Sequence, residues 1–287
     1  MVPVRKLADL ALSAASGVVR LGQHLLVVAD DELFLDAYAD DGRRSGRIAL
    51  RAKAPLPEEH QERKRLKPDL EALVVLPGRR VLAVGSGSTD RRRTAYLFEA
   101  PAEGALPGFR GACDLSLLYA HLSERFPELN IEGAAVAGGK LRLLQRGNGA
   151  RGQNAVIDLA LDGVLEALTT RVPLAARLVL DVRPVQLPPL GKVRLGFTDA
   201  SPIAEGDPRI MFVAAAEDTD DPYLDGECAG SAIGVLDEKA RVEWLEPLEG
   251  KHKVEGVIVE PGGTRALLVA HPDDREQRAP LLECSLT

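Results

Sequence analysis

The stretch NIEGAAVAGGKLRLLQRGN, residues 130–148, has the plan of a buried β-hairpin. A Glu-Gly pair opens a first apolar run, two glycines form a turn, and a second apolar run ends in polar residues. Glycine turns between short apolar runs are a strong hairpin signal. The stretch therefore predicts a hairpin whose first strand begins at a carboxylate, Glu132.

The same plan occurs four more times along the chain. Close copies cover residues 69–89 and 253–274, and a looser copy covers 196–218. A fifth copy, residues 15–32, has Ser16-Gly17 where the others have an acid and a small residue. The positions that align with Glu132 are Ser16, Glu71, Asp199 and Glu255. This spacing of about 55 to 67 residues is regular and somewhat longer than typical propeller repeats.

Each hairpin is followed by further strand-like segments, such as 154–163 and 177–187 after the third hairpin. About four strands per unit is the content of a propeller blade. The sequence predicts an all-β protein with one domain, residues 1–287, folded as a β-propeller of five four-stranded blades; six blades are the alternative. We expect residues 2–12 to supply the outermost strand of the last blade and so to close the ring.

A doubly wound α/β fold is the competing interpretation. It requires amphipathic helices between the strands, and only residues 115–126, LSLLYAHLSERF, have that pattern convincingly. The inner runs are instead almost continuously apolar, as expected for sheets covered on both faces. The propeller is therefore favoured.

The composition limits the classes of partner. A net charge of −7 and a pI near 5.4 argue against a nucleic-acid-binding surface. No window offers the roughly 18 uncharged apolar residues of a membrane span. The three cysteines are far apart, which fits free thiols in a reducing compartment, so a cytoplasmic location is expected.

The repeated pair of an acid and a small residue has a geometric explanation. In a propeller the innermost strands converge on a central channel, and successive side chains point to opposite sides. The first residue of each pair would face the channel, and the second would face the adjacent blade, where only a small side chain fits. The acids are Glu71, Glu132, Asp199 and Glu255, and the small residues are Ala72, Gly133, Ala200 and Gly256.

Four carboxylates around one channel repel one another. Two like charges at about 4 Å cost about 4 kcal/mol at an effective dielectric constant near 20. A divalent cation, with Ca²⁺ the favoured ion, could bind Glu71, Glu132, Asp199 and Glu255. Alternatively, the basic side chains of Lys67, Arg146 and Lys253 neutralise them. The sequence leaves both solutions open.

Polar residues end the second strand of every hairpin, and we expect these ends to ring one mouth of the channel. Arg146, Asn148, Glu217 and the nearby Lys253 are the candidates to bind a small polar or anionic ligand there. Arg146 is notable because a cation among carboxylates is either their structural partner or a contact for an anion.

These repeated strings, such as NIEGAAV, FTDASPI and KVEGVIV, resemble those of uncharacterised bacterial β-propeller proteins. They are distantly similar to the phytase-like and esterase-like propellers and, through the Glu-Gly pair, to the gluconolactonase/regucalcin group. In the lactonase group the glutamate of such a pair is a metal ligand. By position that role would fall on Glu132 or Glu255, with Glu71 as a further candidate. The resemblance thus implies metal-dependent hydrolysis of a phosphate ester or a lactone-type substrate, and we expect Glu132 and Glu255 to be the catalytic residues.

A non-catalytic scaffold that binds a ligand or a protein partner is the alternative, since fold does not imply function. A scaffold should neutralise its channel with lysine and arginine and bind partners through its rim. An enzyme should have an open pocket that reaches the acids. Whether the protein is an enzyme is therefore left open by the sequence.

Overall fold

The protein is a five-bladed β-propeller. The structure, a computed structural model, describes residues 1–50, 59, 62, 66–147, 152–218, 227–274 and 276–286. Its strands form five antiparallel four-stranded sheets, and the first strands of successive sheets contact one another around a ring. The five-blade prediction is confirmed, and the six-blade alternative is wrong.

Four blades are each built from four consecutive strands. Blade 1 contains β2 (Ala15–Leu21), β3 (His24–Ala29), β4 (Phe34–Tyr38) and β5 (Arg44–Ala49). Blade 2 contains β6 (Leu70–Leu76), β7 (Arg80–Gly85), β8 (Thr94–Glu99) and β9 (Gly108–Asp114). Blade 3 contains β10 (Ile131–Ala137), β11 (Lys140–Gln145), β12 (Ala155–Ala160) and β13 (Val179–Pro184). Blade 4 contains β14 (Leu195–Pro202), β15 (Ile210–Asp218), β16 (Glu227–Leu236) and β17 (Val242–Pro247).

Blade 5 joins the two ends of the chain. It contains β18 (Lys253–Val259), β19 (Arg265–His271), β20 (Pro280–Ser285) and, as its outermost strand, β1 (Val4–Asp9). The pairing of β1 with β20 is antiparallel and runs from Val4 opposite Cys284 to Asp9 opposite Pro280. The predicted closure of the ring by the N-terminal strand is confirmed.

The hydrophobic core lies between the blades. Five clusters of buried apolar side chains fill the five gaps between neighbouring blades. Between blades 3 and 4, for example, the rings of Phe197 and Phe212 meet edge to face, with centroids 5.1 Å apart. Both faces of each inner strand are thus covered, which is why the inner runs of the sequence are continuously apolar.

Two helices lie in the gap between blades 2 and 3. Helix α1 (Ser116–Arg125) confirms the one helix predicted from the sequence. Helix α2 (Leu161–Thr170) was not predicted, because it continues the apolar run of β12 without a turn residue between them. Its buried side chains are Leu161, Val164, Ala167 and Leu168, which fall on one helical face.

A β-bulge opens every inner strand. In each inner strand, one residue has no pairing partner in the second strand of the blade. These residues are Ser16, Glu71, Glu132, Thr198 and Glu255. A bulge re-aims a side chain, here at the point where the strand enters the channel. The structure therefore corrects the sequence alignment by one residue, because Thr198 and not Asp199 is the equivalent of Glu132.

Hydrogen bonds between blades support this equivalence. The Ser16 hydroxyl donates to the carbonyl of Leu70, and the Thr198 hydroxyl donates to the carbonyl of Val254 at 2.7 Å. Each carbonyl belongs to the residue just before the bulge acid of the next blade. The five bulge positions therefore carry three carboxylates and two hydroxyls.

The residue after each bulge residue faces the next blade closely. A Cβ added at Gly133 would lie 3.0 Å from the Asp199 Cα, and one added at Gly17 would lie 3.2 Å from the Leu73 nitrogen. These contacts are tighter than most Cβ contacts in proteins, so a side chain there would require the backbone of the next blade to shift by a few tenths of an ångström. The predicted reason for the small residues therefore holds at these two positions.

Blade 4 departs from this rule, because its bulge is followed by Asp199. The Asp199 side chain is fully buried, and its Oδ2 accepts a hydrogen bond from the backbone N–H of Val257 in blade 5 at 3.0 Å. Burial raises the pKa of this carboxyl well above its ordinary value, although the bond from Val257 opposes the rise. Asp199 thus belongs to a contact between blades.

We expect Asp199→Asn to be at least as stable as the wild type at neutral pH. Asparagine keeps an oxygen for the Val257 N–H and carries no charge at any pH, so it does not have to take up a proton on folding. Because the folded-state pKa is raised, the contribution of Asp199 to stability is fully present at low pH and is lost as the pH rises from about 4 through the folded-state pKa. Urea unfolding between pH 4 and pH 8 should show a smaller decline for the variant.

The matched control is Asp207→Asn. Hydrogen bonds from Arg209 lower the pKa of Asp207. The stability that Asp207 contributes is therefore lost as the pH falls, whereas that of Asp199 is lost as the pH rises. A loss of more than about 1 kcal/mol at pH 7 for Asp199→Asn would contradict the assignment of a buried, proton-holding carboxyl.

Candidate functional site at the channel mouth

Charged side chains alternate along the segments that lead into the inner strands. Lys67, Asp69 and Glu71 are spaced by two residues, and Lys253 and Glu255 repeat the spacing in blade 5. The backbone is left-handed at Asp69, with a φ of 54°, and Glu71 and Glu255 are bulge residues, so local irregularities aim these side chains at the mouth of the channel. Asp69 was missed as a site residue, although this alternation was visible in the sequence.

Where blades 1 and 2 meet, basic side chains contact the acids Asp30 and Asp69. Lys67 Nζ contacts the Asp30 carboxylate and lies 3.0 Å from Asp69 Oδ1. Arg92 Nη1 lies 2.8 Å from Asp69 Oδ2, to which Ser86 also donates a hydrogen bond. Burial alone would raise the pKa of Asp30, but Lys67 holds it below its ordinary value. Asp30 therefore stays ionised.

Arg146 is the centre of a second group, which joins blades 3, 4 and 5. Its guanidinium lies 3.2 Å from Glu132, 2.5 Å from Glu217 and 4.0 Å from Glu255, and its side chain is only 6% exposed. Lys253 Nζ lies 2.6 Å from Glu217 and 3.6 Å from Glu255. Two cations thus hold three nearly buried carboxyl groups together. We call this group the Arg146 network.

Protonation supplies the rest of the charge balance. Burial raises the pKa of Glu255 to about 8, against the opposing charges of Lys253 and Arg146. Burial raises the pKa of Glu132 as well, and Arg146 again opposes the rise. At Glu71 desolvation and the nearby carboxylates of Asp69 and Glu132 raise the pKa well above its ordinary value. At neutral pH some channel carboxyl groups therefore hold protons.

The structure brings together most of the residues that the sequence singled out. Glu132, Arg146, Glu217, Lys253 and Glu255 form the Arg146 network. Glu71 lies instead with Asp30 and Asp69, and Asp199 lies in the contact between blades 4 and 5. Asn148 lies outside the described residues.

A pocket opens beside the Arg146 network, on blade 5. This mouth pocket has a volume of about 560 Å³. Its charged and imidazole side chains are those of Lys6, Asp9, Lys251, His252, Lys253, His271, Asp273 and Arg278. Lys253 lines the pocket and also contacts Glu217 and Glu255, so the pocket reaches the acids of the channel through this one side chain.

A histidine and a carboxylate form one wall of the mouth pocket. His271 Nδ1 lies 3.1 Å from Asp273 Oδ1 and 2.9 Å from the backbone nitrogen of Asp273. The neutral ring can accept from that N–H, and the protonated ring can donate to the carboxylate. Burial lowers the pKa of His271, but Asp273 more than offsets this and the net shift is upward. The pair can therefore hold or release a proton near neutral pH.

Three carboxylates at the mouth have the donor chemistry for a divalent cation. Asp30, Asp69 and Glu71 each bring one oxygen to within 4.8 Å of the others. Oxygen ligands of this kind suit Ca²⁺. In this structure the Lys67 ammonium group contacts Asp30 and Asp69 and supplies the positive charge that a bound cation would supply. Of the four ligands predicted from the sequence, Glu71 is the member of this group.

Comparison with known families decides the relationship. Residues 11–286 match the sequence profile of a family of unknown function, DUF6929. The chain belongs to family DUF6929. Among curated proteins, none matches the sequence of this DUF6929 member.

Solved structures of propellers resemble this DUF6929 chain in fold. An α-L-arabinofuranosidase from Podospora anserina, in complex with cellotriose, has 9% identity and a TM-score of 0.52, covering 99% of this chain and 96% of its own. A calcium-binding regucalcin from Agrobacterium tumefaciens has 12% identity and a TM-score of 0.48, covering 99% and 94%. A gluconolactonase from Xanthomonas campestris has 10% identity and a TM-score of 0.46, covering 99% and 89%. At these identities the likeness concerns the fold alone.

Neither α1 nor α2 is long and apolar enough to cross a membrane, and the described part of the chain contains no other helix that is.

Proposed function

We propose that this DUF6929 propeller hydrolyses a small anionic ester that binds in the mouth pocket. The observation that supports the proposal is the shared wall: Lys253, His271 and Asp273 line the pocket, and Lys253 also contacts the buried acids of the channel. An open pocket that reaches the acids is the feature expected of an enzyme. The lysine and arginine pairing in the channel would also suit a scaffold, but a scaffold needs no such pocket.

The size and the charge of the pocket indicate the class of substrate. Its volume of about 560 Å³ is within the usual range for small-molecule sites. Its lining contains four lysine or arginine side chains and two histidines but only two carboxylates. This balance favours a phosphate ester over a neutral lactone, because the surplus of cations attracts the phosphate oxygens.

His271 is the residue placed to move a proton. As water attacks the phosphorus atom, the bond between phosphorus and the leaving oxygen breaks, and the imidazolium of His271 protonates that oxygen. One proton of the water stays on the phosphate product, and the other passes to solvent, from which His271 is protonated again. Asp273 stabilises the charged ring, and Lys253 lies 3.4 Å from the same carboxylate oxygen. Glu255 and Glu132, the carboxylates first considered catalytic, act here as positioning residues, because they reach the pocket through Lys253 and Arg146.

A divalent cation is the proposed cofactor, with Asp30, Asp69 and Glu71 as the residues that would hold it. When bound, it would supply Lewis-acid polarisation of a substrate oxygen. Lys67 must then release Asp30 and Asp69.

The test is phosphate release by the purified chain from a panel of small phosphate esters, in chelator and in millimolar calcium. We expect turnover, with kcat about a hundredfold lower in His271→Asn because the general acid is lost. Lys251→Gln should mainly raise KM. If calcium activates the wild type but not Glu71→Gln, the cofactor is assigned to the three carboxylates.

The control is His121→Asn, an exposed histidine of α1 that pairs only with Glu124 among the described residues. It should leave turnover unchanged. The scaffold alternative is correct instead if no ester is turned over in either buffer, or if His271→Asn and His121→Asn behave alike.

A further inference from the structure

A second cavity lies between blades 2 and 3, among outer strands and away from the channel. This inter-blade cleft has a volume of about 800 Å³ and is bounded by β8, β9 and the last turn of α2. It shares no lining residue with the mouth pocket. We propose that the cleft binds a small organic anion, namely a carboxylate, sulfonate or phosphate group attached to an apolar body.

The apolar body has a surface to contact. Leu97, Cys113, Ala167 and Leu168 line the cleft and belong to the hydrophobic cluster that fills the gap between blades 2 and 3. The cleft is thus an opening into the core. Small-molecule sites typically combine such an apolar lining with a few placed polar groups, in volumes of roughly 300–1,000 Å³.

The polar groups are three arginines and one acid. Arg110 Nε lies 3.0 Å from Glu99, so that pair is neutral. Arg80 and Arg171 form no ion pair with any residue that the structure describes. Arg80 Nε donates to the carbonyl of Pro77 at 2.8 Å, which fixes the guanidinium and leaves its terminal nitrogens for a ligand. The cleft therefore carries two positive charges without a partner within the described ranges.

The backbone of Arg171 supports a role for its side chain. This residue ends α2 with a φ of 57°, and its N–H donates to the carbonyl of Ala167. Glycine usually occupies this left-handed position, because a Cβ there is strained. A cation near a helix C-terminus is favourable, but a lysine or arginine within the last turn would provide it without strain. The strained arginine places its guanidinium at the cleft.

Two unpaired guanidinium groups beside an apolar lining define the ligand. Guanidinium groups bind carboxylate, sulfonate and phosphate through paired hydrogen bonds. The carbonyl end of α2 and the Glu99 carboxylate repel anions, so the charged group of the ligand should lie between Arg80 and Arg171. Its apolar part should contact Leu97 and Leu168.

The probe for the test is 8-anilinonaphthalene-1-sulfonate, an apolar ring system with one anionic group. We expect saturable binding to the folded chain with a fluorescence increase. Arg80→Gln and Arg171→Gln should each raise the Kd about tenfold, as for loss of a charge-assisted hydrogen bond. Thr169→Trp, on the exposed face of α2, should block the cleft and abolish the signal.

Arg171→Gly separates a binding role from a structural role. Glycine removes the strain that a Cβ causes at a positive φ, so the melting temperature of this variant should be higher than that of the wild type. Its Kd for the probe should nevertheless be about tenfold higher, because the guanidinium is lost. The controls are Arg43→Gln, an exposed arginine of blade 1, and Arg278→Gln in the mouth pocket. The proposal is overturned if the cleft variants bind the probe as tightly as the wild type, or if either control weakens binding equally.

Discussion

Arg146→Met is expected to lower the free energy of unfolding by about 3–5 kcal/mol, the largest effect of any single substitution proposed for this protein. The guanidinium lies within 4.0 Å of three carboxyl groups from three blades, Glu132, Glu217 and Glu255. Methionine fills much of the same volume but leaves Lys253 as the one remaining cation of the Arg146 network. The remaining negative charge lies on nearly buried groups, where water solvates it poorly.

Urea unfolding at pH 7 measures the effect, and the melting temperature should fall by on the order of 10 °C. Arg209→Met is the matched control, because Arg209 pairs with Asp207 on the surface and should change stability by less than about 1 kcal/mol. The double variant Arg146→Met/Glu217→Gln should recover part of the loss, since it removes one of the orphaned charges. A loss below 1 kcal/mol for Arg146→Met would mean that the acids are neutralised by protons alone.

Arg142→Met is expected to cost about 3 kcal/mol, because it breaks the polar contact between blades 3 and 4. Arg142 is fully buried, and its Nε lies 3.3 Å from Asp158. Its terminal nitrogens donate to the backbone carbonyls of Asp237, at 3.1 Å, and Glu238, in the turn before β17. The substitution removes both bonds and leaves the buried Asp158 carboxylate, among the described residues, with only the partly exposed Lys140 and Arg183 as cations.

Arg183→Met is the matched control for Arg142, because Arg183 also contacts Asp158 and the Glu238 carbonyl but is 27% exposed. Water can replace it, so its loss should be about 1 kcal/mol. Equal effects of the two variants in urea unfolding would show that burial of the guanidinium is not what makes Arg142 important.

The ring of blades could be derived from the sequence because its signals are local. Each inner hairpin joins two strands through a short turn, so the apolar runs and the glycines define it within about 20 residues. The repetition of the Glu-Gly pair then implies copies of one unit packed side by side. Even the closure by β1 follows, since the last unit lacks an outer strand.

The errors arose where pairing and packing over long distances decide the outcome. Asp199 was aligned with Glu132 because both are acids, but the bulge of β14 lies at Thr198. A shift of one residue moves a side chain to the other side of a strand. The position of the bulge depends on the bond between Thr198 and Val254, which are 56 residues apart. No local pattern contains that information.

The sequence by itself thus determined the number of blades, the order of their strands and the acidic character of the channel, because these depend on periodic patterns within each repeat. The tertiary structure alone decided which cation meets which acid. Arg146 follows β11 but contacts Glu217 at the end of β15, and the mouth pocket joins Lys6 to Arg278. Ion pairs and pockets form between groups that lie far apart in the chain, and their partners are set by the rotation of one blade against the next.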